Sequence, residues 1–404
     1  MKNFIYVNLK ETSDDDVTNR LVELTRIKKV NIAIILNDVY VNNFITFFLE
    51  VEKDKRFNIL IIACDRIEYD FSPGASGSQV SALLDKHCIP HIVNPDIATL
   101  RAFEPDFIFT SNPYDMYITP DFRSDSLCTI GRVAHFSYGA TLIKWEGDYQ
   151  FLNNNEFLTN AWRIFIESDL IFPEKEKFVA LGYLKIDSYL HYDKHPNKFN
   201  KFSIAWKPRW TVMQDSGIHE FIDFFLTIAR TNDIILNFIT HPMLFSALHR
   251  AGGNEHVLEM LEELKKLENV NFISGPDFLD DVLGSDVYIG DISSTLAEYC
   301  STGNPIIFTD THANLNQLGI SIINASYIAG NPNELELHLK NLMMNVDSKR
   351  ALRENLYAEI FTYDDTISTA KRLKEYLFHH RKDATSTSPI LMVSDDANKI
   401  WPAD

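Results

Sequence analysis

A proline placed directly after a histidine at the end of an apolar run restricts where that imidazole can point. In Asn237-Phe238-Ile239-Thr240-His241-Pro242, Pro242 lacks an N–H and pushes the residue before it into extended backbone. His241 is therefore expected at the carboxyl end of a strand. There it can donate to a phosphate oxygen and gain basicity beside it, although a turn histidine that merely ends a strand would read the same way. A second such place is Gly290-Asp291-Ile292-Ser293-Ser294-Thr295-Leu296-Ala297-Glu298, where an apolar strand gives way to a polar cluster that opens a helix. Ser294 and Glu298 lie one helical turn apart, as do Asp291 and Thr295. Hydroxyls and free backbone N–H groups at such a start suit an anion, and they also serve as plain helix caps. Each pattern alone is common. Both at strand ends in one half of the chain suit a single phosphorylated ligand, with Lys207 and Arg209, just beyond another apolar run, as cations for a pyrophosphate or carboxylate.

An acceptor hydroxyl needs its proton removed, so a base is expected across from that ligand. Two segments in the first half qualify, Ser111-Asn112-Pro113-Tyr114-Asp115 and Arg132-Val133-Ala134-His135-Phe136-Ser137-Tyr138-Gly139. His135 is the first choice for the base, with Asp115 and Glu146 as carboxylate alternatives and Tyr114, Tyr138 and Lys144 as acceptor contacts. A core histidine and a turn-capping aspartate are the plainer readings of His135 and Asp115. Asp277, Asp280 and Asp281 invite a metal, but no histidine or cysteine matches them, and acids at a helix start account for them better. Neither a metal site nor a cofactor is expected.

The elements that must carry these residues alternate. Apolar runs at 30–36, 57–64, 91–93 and 107–110 are separated by helical stretches at 42–51 and 78–87. After a looser region at 147–201, runs at 202–206, 234–239, 270–273, 287–289 and 306–308 alternate with helices at 218–229 and 257–267. Strands alternating with helices imply parallel sheets covered on both faces. The fold class is therefore α/β, with two Rossmann-like domains facing a central cleft, the GT-B plan. An N-terminal acceptor domain is expected over 1–170, completed by a C-terminal helix at 365–383. A nucleotide-donor domain follows over 171–364, and a Ser/Thr/Asp-rich tail over 384–404.

Composition narrows the function classes. The chain has 404 residues, 45% hydrophobic and 23% charged, which fits a folded two-domain protein. A net charge of −18 opposes nonspecific binding to nucleic acid or an anionic membrane face. The basic stretch 371–382 reads as a solvated helix face, leaving peripheral membrane association as the upper limit. The four cysteines form no C-x-x-C pair, so buried free thiols are expected rather than disulfides. With no membrane-length apolar run and no signal-peptide pattern, the expected location is cytoplasmic, or peripheral to the inner face of the membrane.

From about 180 to 310 the chain resembles the C-terminal domain of the CDP-glycerol:poly(glycerophosphate) glycerophosphotransferase family. The matching pieces are Gly182-Tyr183-Leu184-Lys185-Ile186-Asp187, Ile204-Ala205-Trp206-Lys207-Pro208-Arg209-Trp210, His241-Pro242, Asp291-Ile292-Ser293-Ser294-Thr295 and Gly303-Asn304-Pro305-Ile306-Ile307-Phe308. The resemblance implies a donor site for a cytidine nucleotide at His241, Pro242, Ser293, Ser294, Thr295, Glu298, Lys207 and Arg209. It also implies transfer of glycerol phosphate to an acceptor hydroxyl, with release of CMP. The same His-Pro and Ser-Ser/Thr motifs resemble those of bacterial sialyltransferases and CMP-Kdo transferases, which implies as the alternative a glycosyltransferase of capsule or lipopolysaccharide synthesis. The implied acceptor is a glycan or polyol-phosphate chain, lipid-linked in some of these systems. Tyr138-Gly139-Ala140-Thr141-Leu142-Ile143-Lys144 is similar to the glycerophosphotransferase motif His-Gly-Thr-Pro-Leu-Lys, with tyrosine in the histidine's place. That replacement leaves open a third possibility, a non-catalytic nucleotide- or glycan-binding protein.

Overall fold

The computed structural model describes residues 29–38, 42–68, 74–144, 156–171, 177–186, 201–211, 216–231, 233–275, 278–310, 312–362 and 364–381. Glu146, Asp277 and the 384–404 tail lie outside the described residues.

The first half forms a 7-stranded sheet from β1 (Val30–Leu36), β2 (Phe57–Ala63), β3 (Ile92–Val93), β4 (Phe107–Thr110), β5 (Arg132–Phe136), β6 (Arg163–Ile166) and β7 (Phe178–Ala180), in the order β3-β2-β1-β4-β5-β6-β7. Every pairing is parallel. The second half forms a 6-stranded sheet from β8 (Phe202–Lys207), β9 (Ile234–Ile239), β10 (Val270–Ile273), β11 (Val287–Gly290), β12 (Ile306–Phe308) and β13 (Tyr327–Ile328), in the order β10-β9-β8-β11-β12-β13. These pairings are parallel too. Strands such as Val30-Asn31-Ile32-Ala33-Ile34-Ile35-Leu36 are apolar almost throughout because helices cover both faces of the sheet. Both sheets reverse winding direction beside their first strand, between β1 and β4 and between β8 and β11. In open α/β sheets the carboxyl edge at such a reversal is where ligands bind.

The division between the halves falls later than residue 170. Phe178-Val179-Ala180 pairs with β6, and Leu184 is buried in the same apolar cluster as β1 and β4. A three-residue strand carries too little periodicity to be read from sequence. The helix Thr369–His379 returns to the first half, burying Ala370, Leu373, Leu377 and Phe378 in that cluster. Its basic residues are not a uniformly solvated face. Lys374 turns inward, 2.6 Å from Glu50 and 3.4 Å from Asp54, while Arg56 bridges Asp54 and Glu375 and lies over the Phe378 ring.

A second apolar cluster is continuous across the halves, joining Ile164 and Tyr183 to Leu296, Tyr299 and Phe361. The backbones also meet directly. The Lys144 N–H donates to Asn314 O at 3.0 Å, the Asn316 N–H donates to Leu142 O at 2.9 Å, and Ile143 pairs with Leu315 in an isolated antiparallel bridge. No helix of the described residues is long and apolar enough to cross a membrane.

Candidate active site

The carboxyl edge of the second sheet collects the expected donor residues from three strands. Lys207 ends β8, His241 follows β9, and Ser293 and Ser294 follow β11. Asp291 is what holds these loops in place. Its Oδ2 accepts the backbone N–H of Arg209 at 2.7 Å and of Gly217 at 2.9 Å, and its Oδ1 accepts the Thr309 hydroxyl at 2.6 Å. Gly290 is required beside it, because a Cβ there would stand 2.3 Å from Lys207 O.

Lys207 is 8% exposed, and its ammonium makes no hydrogen bond or ion pair among the described residues; it lies 5.6 Å from the centre of the Phe278 ring. Burial pulls its pKa down to about 8, against the opposing pull of Glu298 and with the help of Lys185. His241 stacks on Trp210, ring centres 5.5 Å apart at 20°, and its Nδ1 accepts the Met243 N–H at 3.1 Å. A backbone N–H can only donate, so Nδ1 is the acceptor nitrogen and the ring proton sits on Nε2. Burial, then the charge of Lys207, hold the His241 pKa at about 3. It is therefore a neutral donor rather than a cation.

Ser293 is extended, with its hydroxyl 2.9 Å from the Tyr288 hydroxyl, and Ser294 opens the helix Ser294–Tyr299. Six residues carry little macrodipole, so side chains rather than the helix must supply most of the attraction for an anion. The remaining members of the expected donor set sit on the same loops and helix with other surroundings. Pro242 is exposed, while Thr295 at 1% and Glu298 at 0% exposure face the core. Arg209 lies 3.7 Å from Asp310.

Glu298 works behind the site instead. Its Oε1 accepts the Tyr183 hydroxyl at 2.7 Å and the Lys185 ammonium at 2.6 Å, which fastens the second half to the segment leading out of the first. The Tyr183 oxygen also accepts the Ala140 N–H at 3.1 Å, and Glu167 Oε1 accepts the Thr141 N–H at 2.8 Å. Burial raises the Glu167 pKa to about 7. Together these buried groups pin the 137–141 loop so that Gly139 lies against Ser294. A Cβ on Gly139 would meet Ser294 Cβ at 2.9 Å.

In the first half, the loops after β1, β2, β4 and β5 meet at the carboxyl edge. Ser111 Oγ donates to Asn37 Oδ1 at 2.7 Å, and Asn112 Nδ2 donates to the same oxygen at 2.9 Å, tying β4 to β1 at the reversal point. Tyr114 and Tyr138 face each other with hydroxyls 3.2 Å apart. The bases expected from sequence do not join them as free groups. His135 is 4% exposed beneath Tyr138, its Nδ1 3.2 Å from Thr110 O, and burial pulls its pKa down to about 4. A carbonyl can only accept, so Nδ1 carries the proton. Asp115 spends both oxygens on Ser124, accepting its N–H at 2.9 Å and its hydroxyl at 2.5 Å. Lys144 is exposed at the strap to Asn314. Sequence reasoning missed Asp38, Arg66, Tyr117 and Glu167. Asp38 and Arg66 directly follow apolar strands, which is a usable signal, whereas nothing local marks Glu167.

No family model matches the chain, and no curated protein does. Among solved structures, the S. aureus MnaA–UDP co-structure is similar at 14% identity and TM-score 0.58, covering 87% of this chain and 96% of that one. A UDP-GlcNAc 2-epimerase from Neisseria meningitidis bound to UDP-GlcNAc follows at 12% and 0.56, covering 86% and 99%. Anabaena Alr3699/HepE in complex with UDP-glucose stands at 13% and 0.52, covering 86% and 99%. At such identities the likeness establishes the fold, two Rossmann-like domains of the GT-B type.

Proposed function

We propose that this chain is a transferase of surface-glycan synthesis that takes its group from a cytidine nucleotide, with the donor phosphate held among Lys207, His241 and Ser294. The observation that carries this reading is the mostly buried side chain of Lys207, whose ammonium makes no hydrogen bond or ion pair among the described residues, feels Glu298 only from beyond ion-pair distance, and stands beside a histidine locked as an Nε2–H donor. A charge in that position is costly until an anion joins it. The solved relatives named above were determined with UDP or UDP-sugars, which supports a nucleotide in the cleft. The His241-Pro242 and Ser293-Ser294-Thr295 resemblance supports cytidine as its base.

In this reading an acceptor oxygen attacks the transferred group and the bond to CMP breaks, its electron pair going to the phosphate. Lys207 and the Nε2–H of His241 stabilise the charge that develops there, while the acceptor's proton leaves to a base on the first half's side of the cleft. Of the two candidate donors, the glycosyl donors CMP-Kdo and CMP-sialic acid are favoured over CDP-glycerol. Tyr138 stands where the glycerophosphotransferase motif has histidine, and its phenol is engaged with Tyr114.

The test is nucleotide release on incubation with each donor, read as CMP from CDP-glycerol, CMP-Kdo and CMP-sialic acid and as UDP from UDP-GlcNAc. Release from a cytidine donor that His241→Ala abolishes, with an unchanged circular dichroism spectrum, is the expected result. Turnover of UDP-GlcNAc alone would overturn the cytidine assignment. Tight CMP binding without release from any donor would make the protein a non-catalytic binder.

A further inference from the structure

We propose that Tyr114, Tyr117 and Tyr138 form the acceptor subsite, and that it takes an uncharged hexopyranose of a glycan rather than a phosphate-bearing polyol chain. The inference rests on the transferase reading for its reaction, but it concerns only the first half's side of the cleft.

Position is the first observation. Tyr138 directly precedes Gly139, whose backbone packs on Ser294 of the donor half. A group lying on Tyr138 is therefore next to the donor. Composition is the second. The Tyr114 ring meets Tyr117 at 5.7 Å and Tyr138 at 6.5 Å between centres, both edge-on. Tyr138 is 42% exposed and the neighbouring Met116 is 39% exposed. The Tyr138 ring, left open at the cleft edge with the Tyr114 hydroxyl beside it, matches the C–H face and hydroxyl rim of a pyranose.

Charge is the third observation. Arg66 acts on Tyr114 and Asp38 on Tyr138, and these two charged groups form an ion pair with each other at 2.5 Å. The Arg66 guanidinium also lies 4.2 Å over the Tyr117 ring. A compensated pair offers hydrogen-bond donors and acceptors to sugar hydroxyls without net attraction for an anion. A chain with a phosphate in every repeat would need uncompensated cations, as Lys207 supplies in the donor half. Arg66 also lines an open pocket of about 460 Å³, together with Asp65, Ser76 and Gln79.

The experiment is saturation-transfer NMR on the full chain without any nucleotide, using lactose, cellotetraose and maltotetraose as neutral probes and a glycerol phosphate hexamer as the charged one. At least one neutral sugar is expected to bind and the hexamer is not. Tyr138→Ala and Tyr114→Ala should each weaken that sugar about tenfold, Tyr138→Phe should keep most of the affinity, and CMP affinity should stay unchanged in all three. Saturation of none of the neutral sugars, preference for the hexamer, or sugar binding indifferent to both alanine variants overturns the proposal. The CMP-release assay separates the two readings. A protein that releases CMP but ignores neutral sugars refutes this inference alone, and one that binds sugar through Tyr138 but turns over no donor refutes the donor reading alone.

Discussion

An ammonium drawn mostly out of water, with no carboxylate within ion-pair distance, destabilises the fold that holds it. Lys207 is such a group, so Lys207→Met is expected to raise the urea midpoint at pH 7 while weakening CMP binding roughly ten- to a hundredfold, the loss of about 1.5–3 kcal/mol for a charged hydrogen bond. Its pKa of about 8 gives a sign to the pH dependence. Binding that needs the cation weakens as pH rises through about 8, and Lys207→Arg, charged throughout, moves that loss to higher pH; calorimetric titration between pH 6.5 and 9.5 checks both. The two site histidines act on stability rather than charge. His135 and His241 titrate near 4 and 3 in the folded chain, below the value of about 6.5 expected of the unfolded one. The unfolded state therefore binds more protons, and stability falls as pH drops below about 6.5. His241→Asn should thus gain on the wild type in urea midpoint between pH 7 and pH 5.

Elements convert these side chains into a site by bringing loops together. The 137–141 loop is fixed from behind by Tyr183 and Glu167 and touches the donor half at Gly139. Gly139→Ala must move either that loop or the start of helix Ser294–Tyr299. The expected outcome is a fall in kcat of about tenfold or more from misplacement of about an ångström, with little change in unfolding midpoint. An unchanged kcat would show that the 2.9 Å contact relaxes without cost to the site. The same network explains why Glu298, one turn along from Ser294, is not a ligand group. Its carboxylate is 0% exposed and is bonded to Tyr183 and Lys185. Spacing along a helix places a residue near a site, but the direction of its face decides whether it enters.

At the scale of the whole molecule, the C-terminal helix belongs to the first half, far from it in sequence. Arg56 ties Asp54 to Glu375, with both Arg56 and Asp54 nearly dry. Removing Arg56 leaves Asp54 with Lys374, 3.4 Å away, as an ion-pair partner, so Arg56→Ala should cost roughly 1–3 kcal/mol in urea unfolding, below the figure for a wholly unpaired buried charge. Truncation before Thr369 removes Leu373, Leu377 and Phe378, and should thereby uncover Phe47, Val51 and Phe57 of the same cluster and lower the yield of soluble protein.

Alternating apolar runs fixed both sheets in advance, because a strand buried on two faces must be apolar nearly throughout. The runs at 30–36, 107–110, 234–239 and 270–273 match β1, β4, β9 and β10 to the residue. The position of His241 and Ser294 just beyond strand ends was legible as well, because Pro242 and the Ser-Ser-Thr cluster mark two such ends. Burial and partnership were not legible. Whether His135 is a base or a ring sealed under Tyr138, whether Asp115 is free or spent on Ser124, and whether Arg66 meets Asp38 depend on residues brought together from distant parts of the chain. Those meetings set each group's solvation and partners, and only the tertiary structure determines them.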